Sequence, residues 1–207
     1  MDLTAARESI AGFPQVFFSK TGKKLRMQLL DWNLEGQFVG RYLDYEPRNS
    51  FQGLPPLKDD VCAKWAKEMI LTGVNLVAVC PRAGIVGHTA LFPIDESCCE
   101  LLAVVWPEFQ NQGIGTALTQ GCVQIARQLG FEKIWLPVDS INLRARRVYE
   151  KCGFECRSPR LSRELEMVCN VARNPVFRAD ENTASKRIPL SVLFDSSDSD
   201  STLMNVH

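Results

Sequence analysis

Residues 100–130 commit the chain to one local geometry. Residues 100–106 form an apolar run that Pro107 closes, since proline offers no amide hydrogen to a sheet. A short loop follows, and Gly113-Ile114-Gly115 opens a stretch with the helical spacing of Ala117, Val123, Ile125 and Leu129, ended by Gly130. Strand, glycine loop and helix in that order leave the amides at the helix start unpaired and pointing one way. Glycines let a ligand come close to them, and the helix dipole favours negative charge. The junction is therefore an anion site in outline, well shaped for a pyrophosphate. A lone glycine pair of this kind is weak evidence of function.

The flanking segments extend the same alternation. Residues 16–18, the turn Ser19-Lys20-Thr21-Gly22, and residues 25–30 read as strand, turn and strand. The Ser-Lys-Thr-Gly-Lys run has no upstream glycine spacing, which sets it aside as a phosphate loop. Asp31 can cap a first helix over 34–42, residues 45–56 form a Pro- and Gly-rich loop, and a second helix over 57–71 puts Val61, Trp65 and Met69 on one face. Strands are expected at 75–80, 85–92, 100–106 and 133–138, a helix over 142–152, and a closing antiparallel pair at 154–161 and 164–171. Such an order means an α/β or α+β fold around one sheet. Residues 1–15 read as a loose N-terminal arm and 16–173 as the folded domain. Residues 174–207, rich in Ser and Asp, read as a disordered tail with an apolar island at 188–194.

Charge and cysteine content restrict the setting. The 207 residues carry 24 Lys and Arg against 24 Asp and Glu, which speaks against a nucleic-acid partner. No run reaches the ~18 apolar residues of a membrane span, and residues 1–10 lack the apolar stretch of an export signal. Eight cysteines without a C-x-x-C pair, and only His88 and His207 beside them, make a poor zinc site. Most lie in apolar segments and read as reduced thiols of a cytoplasmic protein.

A dinucleotide-binding turn fails on two counts. Leu118 stands where Gly or Ala is needed, and Pro107 lies six positions before Gly113. A different match is specific. Gln110-x-x-Gly113-x-Gly115 resembles the Q/R-x-x-G-x-G/A acetyl-CoA signature of the GNAT superfamily of N-acyltransferases. Asn142-x-x-Ala145-x-x-x-Tyr149-x-x-x-Gly153-Phe154 resembles that superfamily's second block. Element order fits over about 150 residues, roughly 24–171. The resemblance implies a mixed, mostly antiparallel sheet with helices on both faces. Its two central parallel strands, ending at Trp106 and Val138, would splay beside a bulge.

The resemblance also implies roles. Amides of Gln112, Gly113, Gly115 and Thr116 would hold the CoA pyrophosphate, Gln110 being part of the same signature. Backbone groups of Val104 and Val105 would pair with the pantetheine arm, and Asn142 would contact acetyl-CoA near the mouth. Tyr149 matches the tyrosine that protonates the leaving thiolate, a role open to a phenol with a pKa near ~10. Gln110 and Asn111 stand where many members have Arg and Gly, which removes one positive charge from the phosphate site. Among Arg144, Arg146 and Arg147, one or more would meet the 3′-phosphate, and Trp106 would wall the acceptor slot.

An acceptor amine with a pKa of ~10.4 must lose a proton before it can attack. Glu100 is the candidate base, because strand alternation sets it beside Leu102 and Val104 as the one carboxylate on an apolar line. It also resembles the strand glutamate of some bacterial protein-lysine acetyltransferases. His88 reads as a core histidine and Glu108 as an exposed loop residue, and no cysteine nucleophile is needed. Three functions follow. The first is acetyl transfer to a primary amine, protein lysine being the first acceptor considered. The second is transfer to a small amine such as a polyamine, amino acid or aminoglycoside. The third is a CoA-binding module without turnover. A monomer or homodimer, without metal, suits each of them.

Overall fold

The structure, a computed structural model, describes residues 3–50, 54–158 and 162–172. The tail and its apolar island lie outside the described residues. Among those residues, eight strands form one sheet: β1 (Gln15–Phe18), β2 (Lys24–Leu29), β3 (Val74–Cys80), β4 (Gly84–Pro93), β5 (Cys98–Val105), β6 (Lys133–Asp139), β7 (Phe154–Cys156) and β8 (Glu164–Asn170). Their order across the sheet is β1-β2-β3-β4-β5-β6-β8-β7. Every neighbouring pair is antiparallel except β5 and β6. Five helices accompany them: α1 (Leu3–Ser9), α2 (Glu35–Leu43), α3 (Asp59–Thr72), α4 (Ile114–Gln128) and α5 (Leu143–Lys151).

Successive strand residues face opposite sides, so two neighbours on β4 locate the layers. Gly87 faces α4, where a β-carbon on it would stand 2.8 Å from Leu118 Cδ1. His88 faces the other way, with its ring 4.7 Å from that of Phe38 on α2. Helices therefore cover both faces. The seat of α4 is unusually close: a β-carbon on its own Gly121 would come within 2.6 Å of Leu76 Cδ2 and 3.0 Å of Met27 Sδ. Leu118, Cys122, Val123, Ile125 and Ala126 are buried along α4 and weld it to the central strands.

Register explains the opening in the sheet. β5 and β6 are paired only at Cys98–Lys133, Cys99–Ile134 and Glu100–Trp135, and from there to their C-terminal ends they part. Nearest neighbours keep their full ladders, since β4–β5 runs unbroken from Gly87–Val105 to Pro93–Cys99 and β6–β8 from Lys133–Asn170 to Asp139–Glu164. The expected bulge is accordingly absent from the β4–β5 ladder. Register shifts instead at Ala78–Val79 in the β3–β4 pair, one strand farther from the opening.

Other expectations change in detail. The N-terminal arm is not loose: it forms α1, buries Ala6 and Ile10, and Arg7 Nη2 donates to the carbonyls of Ile70 (2.5 Å) and Gly73 (3.1 Å). Ala11 and Gln128 bond reciprocally, tying the segment to the end of α4. On α3 the buried stripe is Cys62, Ala66, Met69 and Ile70, whereas Val61 is 46% exposed. Trp65 is half-buried beside this stripe and packs on Tyr42, with ring centroids 5.1 Å apart. The strand expected from residue 154 ends at Cys156.

Candidate active site

The end of β5, where it parts from β6, and the start of α4 frame a cleft of about 820 Å³, within the size usual for a small-molecule or cofactor site. Ala103, Val104 and Val105 of β5, Phe109, Gln110, Asn111 and Gly113 of the following loop, the first turn of α4, and α5 with its leading loop line it. Tyr45, Pro47 and Ser50, between α2 and α3, reach it from the other side of the sheet. The cleft thus runs through the opening.

At its mouth Gly113 takes φ 86°, ψ −4°, a left-handed conformation that glycine reaches without strain. Its carbonyl accepts the first helical bond, from Ala117 N at 3.1 Å. Amides of Ile114, Gly115 and Thr116 therefore have no acceptor within the helix, and α4 has no side-chain cap. A β-carbon on Gly115 would stand 3.5 Å from Val105 Cγ2 and 3.9 Å from Val148 Cγ2, so a side chain there would occupy the gap between β5 and α5. Deeper in, Thr119 is fully buried and lines the cleft, and its Oγ1 has no hydrogen-bond partner among the described residues. Open amides at a helix start, a gap held free by glycine and an orphaned inner hydroxyl fit a ligand with an anionic head and a polar, narrow arm. Acetyl-CoA has that form.

Of the residues singled out from sequence, Val104, Val105, Gln110, Gly113, Gly115, Thr116, Asn142 and Tyr149 line this cleft, while Glu100 and Gln112 do not. Trp106 N donates to Val86 O at 3.2 Å, which sets the hydrogen-bonding phase of the β4–β5 ladder. By alternation Val104 spends its backbone groups on His88, and those of Ala103 and Val105 turn to the opening, where the Val105 carbonyl already accepts from Gln110 Nε2. Ala103 thus turns its backbone groups to the opening, and Val104 lines the cleft by its side chain. Gln112 faces away because its carbonyl accepts from Lys20 N (2.9 Å) and its Oε1 from Thr21 Oγ1 (3.0 Å). Asn142 is the N-cap of α5, its Oδ1 accepting from Ala145 N at 3.1 Å.

Gln110 acts as a clasp. Its Nε2 donates to Val105 O at 3.0 Å, and its Oε1 accepts from Arg144 Nη1 at 3.1 Å, joining the end of β5 to α5 across the mouth. Arg144 and Arg147 line the cleft, with Lys20 and Lys151 as further cations on its rim. Sequence spacing could foretell Arg144 and Arg147 on α5. It held no signal for Lys20, which arrives from the β1–β2 turn, nor for Thr119, one helical turn beyond the glycines.

Tyr149 is buried, its ring centroid 5.6 Å from that of Phe154, and desolvation pushes its phenol up to about 12. Glu100 is half-buried where β5 and β6 part, and burial raises its carboxyl above the usual range. His88 is fully buried in a complete network: Asn75 Nδ2 donates to Met69 O and Gly73 O, leaving Asn75 Oδ1 to accept from His88 Nε2 at 2.9 Å. His88 Nδ1 then accepts from Tyr42 Oη at 2.7 Å. Burial depresses the imidazole to about 3, so it stays neutral as part of the core. Glu108 is half exposed and pairs with Arg41 at 2.9 Å, and Trp106 Nε1 donates to Arg41 O. All eight cysteines are free. Among the described residues no group of His, Cys, Asp or Glu could hold a metal ion, and no helix is long and apolar enough to cross a membrane.

A sheet parted between β5 and β6, with a glycine-opened helix at the gap and a tyrosine lining it, is the arrangement of an acyl-CoA-dependent transferase. Comparison with known proteins agrees. The family model described as acetyltransferase (GNAT) family matches residues 44–154, more than half of the chain, and the chain belongs to that family. It is an acetyltransferase that takes its acetyl group from acetyl-CoA. No curated protein matches the chain. Among solved structures, the GNAT domain of Streptomyces lividans PAT superposes with a TM-score of 0.66 at 15% identity, covering 78% of this chain and 98% of that one. Spermidine N-acetyltransferase from Vibrio cholerae, in complex with CoA and spermine, gives 0.58 at 18%, covering 72% and 96%. Salmonella typhimurium yncA with its cofactor acetyl-CoA gives 0.56 at 15%, covering 71% and 94%. At these identities the likeness is one of fold.

Proposed function

We propose that the acceptor is a small cationic amine of the polyamine class. The observation that carries this reading is a carboxylate-bearing strip on the sheet face away from α4. By register, Glu155, Val168, Trp135 and Glu100 lie in one row across β7, β8, β6 and β5, and Glu166 with Pro137 lies in the next. Trp135, Pro137 and Val168 stay half-buried there and Glu155 and Glu166 exposed, while the alternate residues Ile134, Leu136, Met167 and Cys169 are buried. Glu155 pairs with Arg157 at 2.9 Å, and half-exposed apolar groups beside Glu100 and Glu166 suit an alkyl polyamine, whose ammonium groups are separated by methylenes. The Vibrio cholerae relative supports the same class. Protein lysine, the acceptor considered first, has no comparable support.

Bound acetyl-CoA supplies a thioester carbonyl for attack and a thiolate as leaving group. The open amides of α4 and the rim cations hold its phosphates, and Ala103 and Val105 hold its arm in line with β5. Lining residues include no Asp, Glu or His among the described residues, so the proton lost by the amine must leave the cleft. Glu100 receives it through water. Strand geometry puts it three residues, roughly 10 Å, below Ala103. At about 12, the Tyr149 phenol remains protonated at neutral pH. It is a weaker acid than an ordinary thiol at ~8.5. Tyr149 therefore donates a hydrogen bond to the departing sulfur without giving up its proton in full.

Thiol release from acetyl-CoA across polyamines, aminoglycosides, amino acids and lysine peptides tests the reading, with the highest kcat/KM expected for polyamines. A preference for lysine peptides would overturn it. Glu100→Gln is expected to lower kcat by about 10²-fold at neutral pH, a typical general-base contribution. Part of the loss should return at high pH, where the amine sheds its own proton. A base acts when deprotonated, so wild-type kcat/KM should rise with pH through the raised Glu100 pKa. An unaltered profile in the variant removes Glu100 from the mechanism.

A further inference from the structure

Signature position 110, where many family members carry arginine, holds a glutamine here, and that glutamine is fully engaged by Val105 O and Arg144. The cleft mouth has nevertheless gained a cation from elsewhere. The turn between β1 and β2 folds against the glycine loop. Gly22 N donates to Ser19 O at 2.9 Å, Ser19 Oγ accepts from Lys23 N at 3.1 Å, and Thr21 Oγ1 lies 2.9 Å from Ser19 Oγ. Two bonds to Gln112, from Lys20 N and Thr21 Oγ1, latch this turn to the loop. Lys23 Nζ lies over the Phe109 ring, 5.2 Å from its centroid, adding a third attachment.

The Lys20 side chain then runs across the residue that opens α4. A β-carbon on Gly113 would be 3.6 Å from Lys20 Cγ and 3.8 Å from Cε, and Lys20 lines the cleft. Its stem lies beside Gly113 while the residue stays exposed at the rim, so its ammonium is within reach of the helix start and its open amides. We infer that Lys20 is a pyrophosphate ligand of acetyl-CoA, restoring from the β1–β2 turn the positive charge that position 110 lacks. This rests on the assignment of the cleft to acetyl-CoA. The Ser19–Lys23 run is thus no phosphate loop in its own right. It contributes one cation to an anion site that another segment builds.

Binding of CoA and of 3′-dephospho-CoA to the full chain, measured by calorimetry, tests the inference. Lys20→Met keeps the stem and removes the charge. It should raise Kd for both ligands on the order of tenfold, the range for a charge-assisted hydrogen bond. Lys20→Arg should restore most of the affinity. Equal Kd values in wild type and Lys20→Met overturn the inference and leave the cleft assignment standing. A loss seen with CoA and absent with 3′-dephospho-CoA would move Lys20 to the 3′-phosphate and likewise overturn it. Failure of wild type to bind either ligand would overturn the cleft assignment itself, and this inference with it.

Discussion

Thr119 buries a hydroxyl that has no hydrogen-bond partner among the described residues. An unpaired buried hydroxyl costs about 1–3 kcal/mol in desolvation, a cost that a ligand in the cleft would offset. Thr119→Val, of nearly the same shape, should therefore raise the unfolding free energy of the ligand-free protein by about 1 kcal/mol. The same change should weaken CoA binding. Urea unfolding with and without CoA checks both, and a destabilised variant would mean that Thr119 has a partner in the folded chain. Spacing marked the residue only as one more position on α4, since burial and the lack of an acceptor depend on what packs around it. The same holds for His88. Sequence suggested a core histidine, and three elements then converge to complete its hydrogen bonds through Tyr42 and Asn75.

Helix α4 combines two demands, a start open to anions and a body pressed onto the sheet. Glycines serve both. Gly113 takes the left-handed turn that opens the helix, and Gly121 allows its closest approach to β2 and β3. Replacing a helical glycine by alanine ordinarily gains about 1 kcal/mol of helix propensity. At Gly121 the added methyl would stand 2.6 Å from Leu76 Cδ2, and overpacking of that kind costs about 1–3 kcal/mol. The packing term should win. Gly121→Ala is expected to lower stability by about 1 kcal/mol and to shift the mouth of the cleft, raising KM for acetyl-CoA. Chemical unfolding and acetyl-CoA saturation curves check this, and a stabilised variant would show that α4 can lift off the sheet at little cost.

Across the whole molecule, elements distant in sequence meet at one cleft: the β1–β2 turn, the α2–α3 loop, β5, α4 and α5. A ligand that binds only this assembled state stabilises it by mass action, about 2.7 kcal/mol at a hundredfold excess over Kd. In a chain of this size that corresponds to a rise in Tm of roughly 5–10 °C. Saturating CoA should produce such a shift in a thermal melt, and its absence would contradict the site. Most of the fold was legible beforehand, because strand and helix periods and the two spaced signatures are local properties of the chain. Those signatures, glycines at 113 and 115 with Asn142 and Tyr149, indicated the class of reaction through their resemblance to the two blocks of the GNAT superfamily. Tertiary structure alone decided the rest. It docked the N-terminal segment as α1, turned the backbone groups of Ala103 toward the opening, took Gln110 for a clasp, and carried Lys20 onto Gly113. Each of these depends on register or on contacts between segments far apart along the chain, which spacing within one segment does not encode.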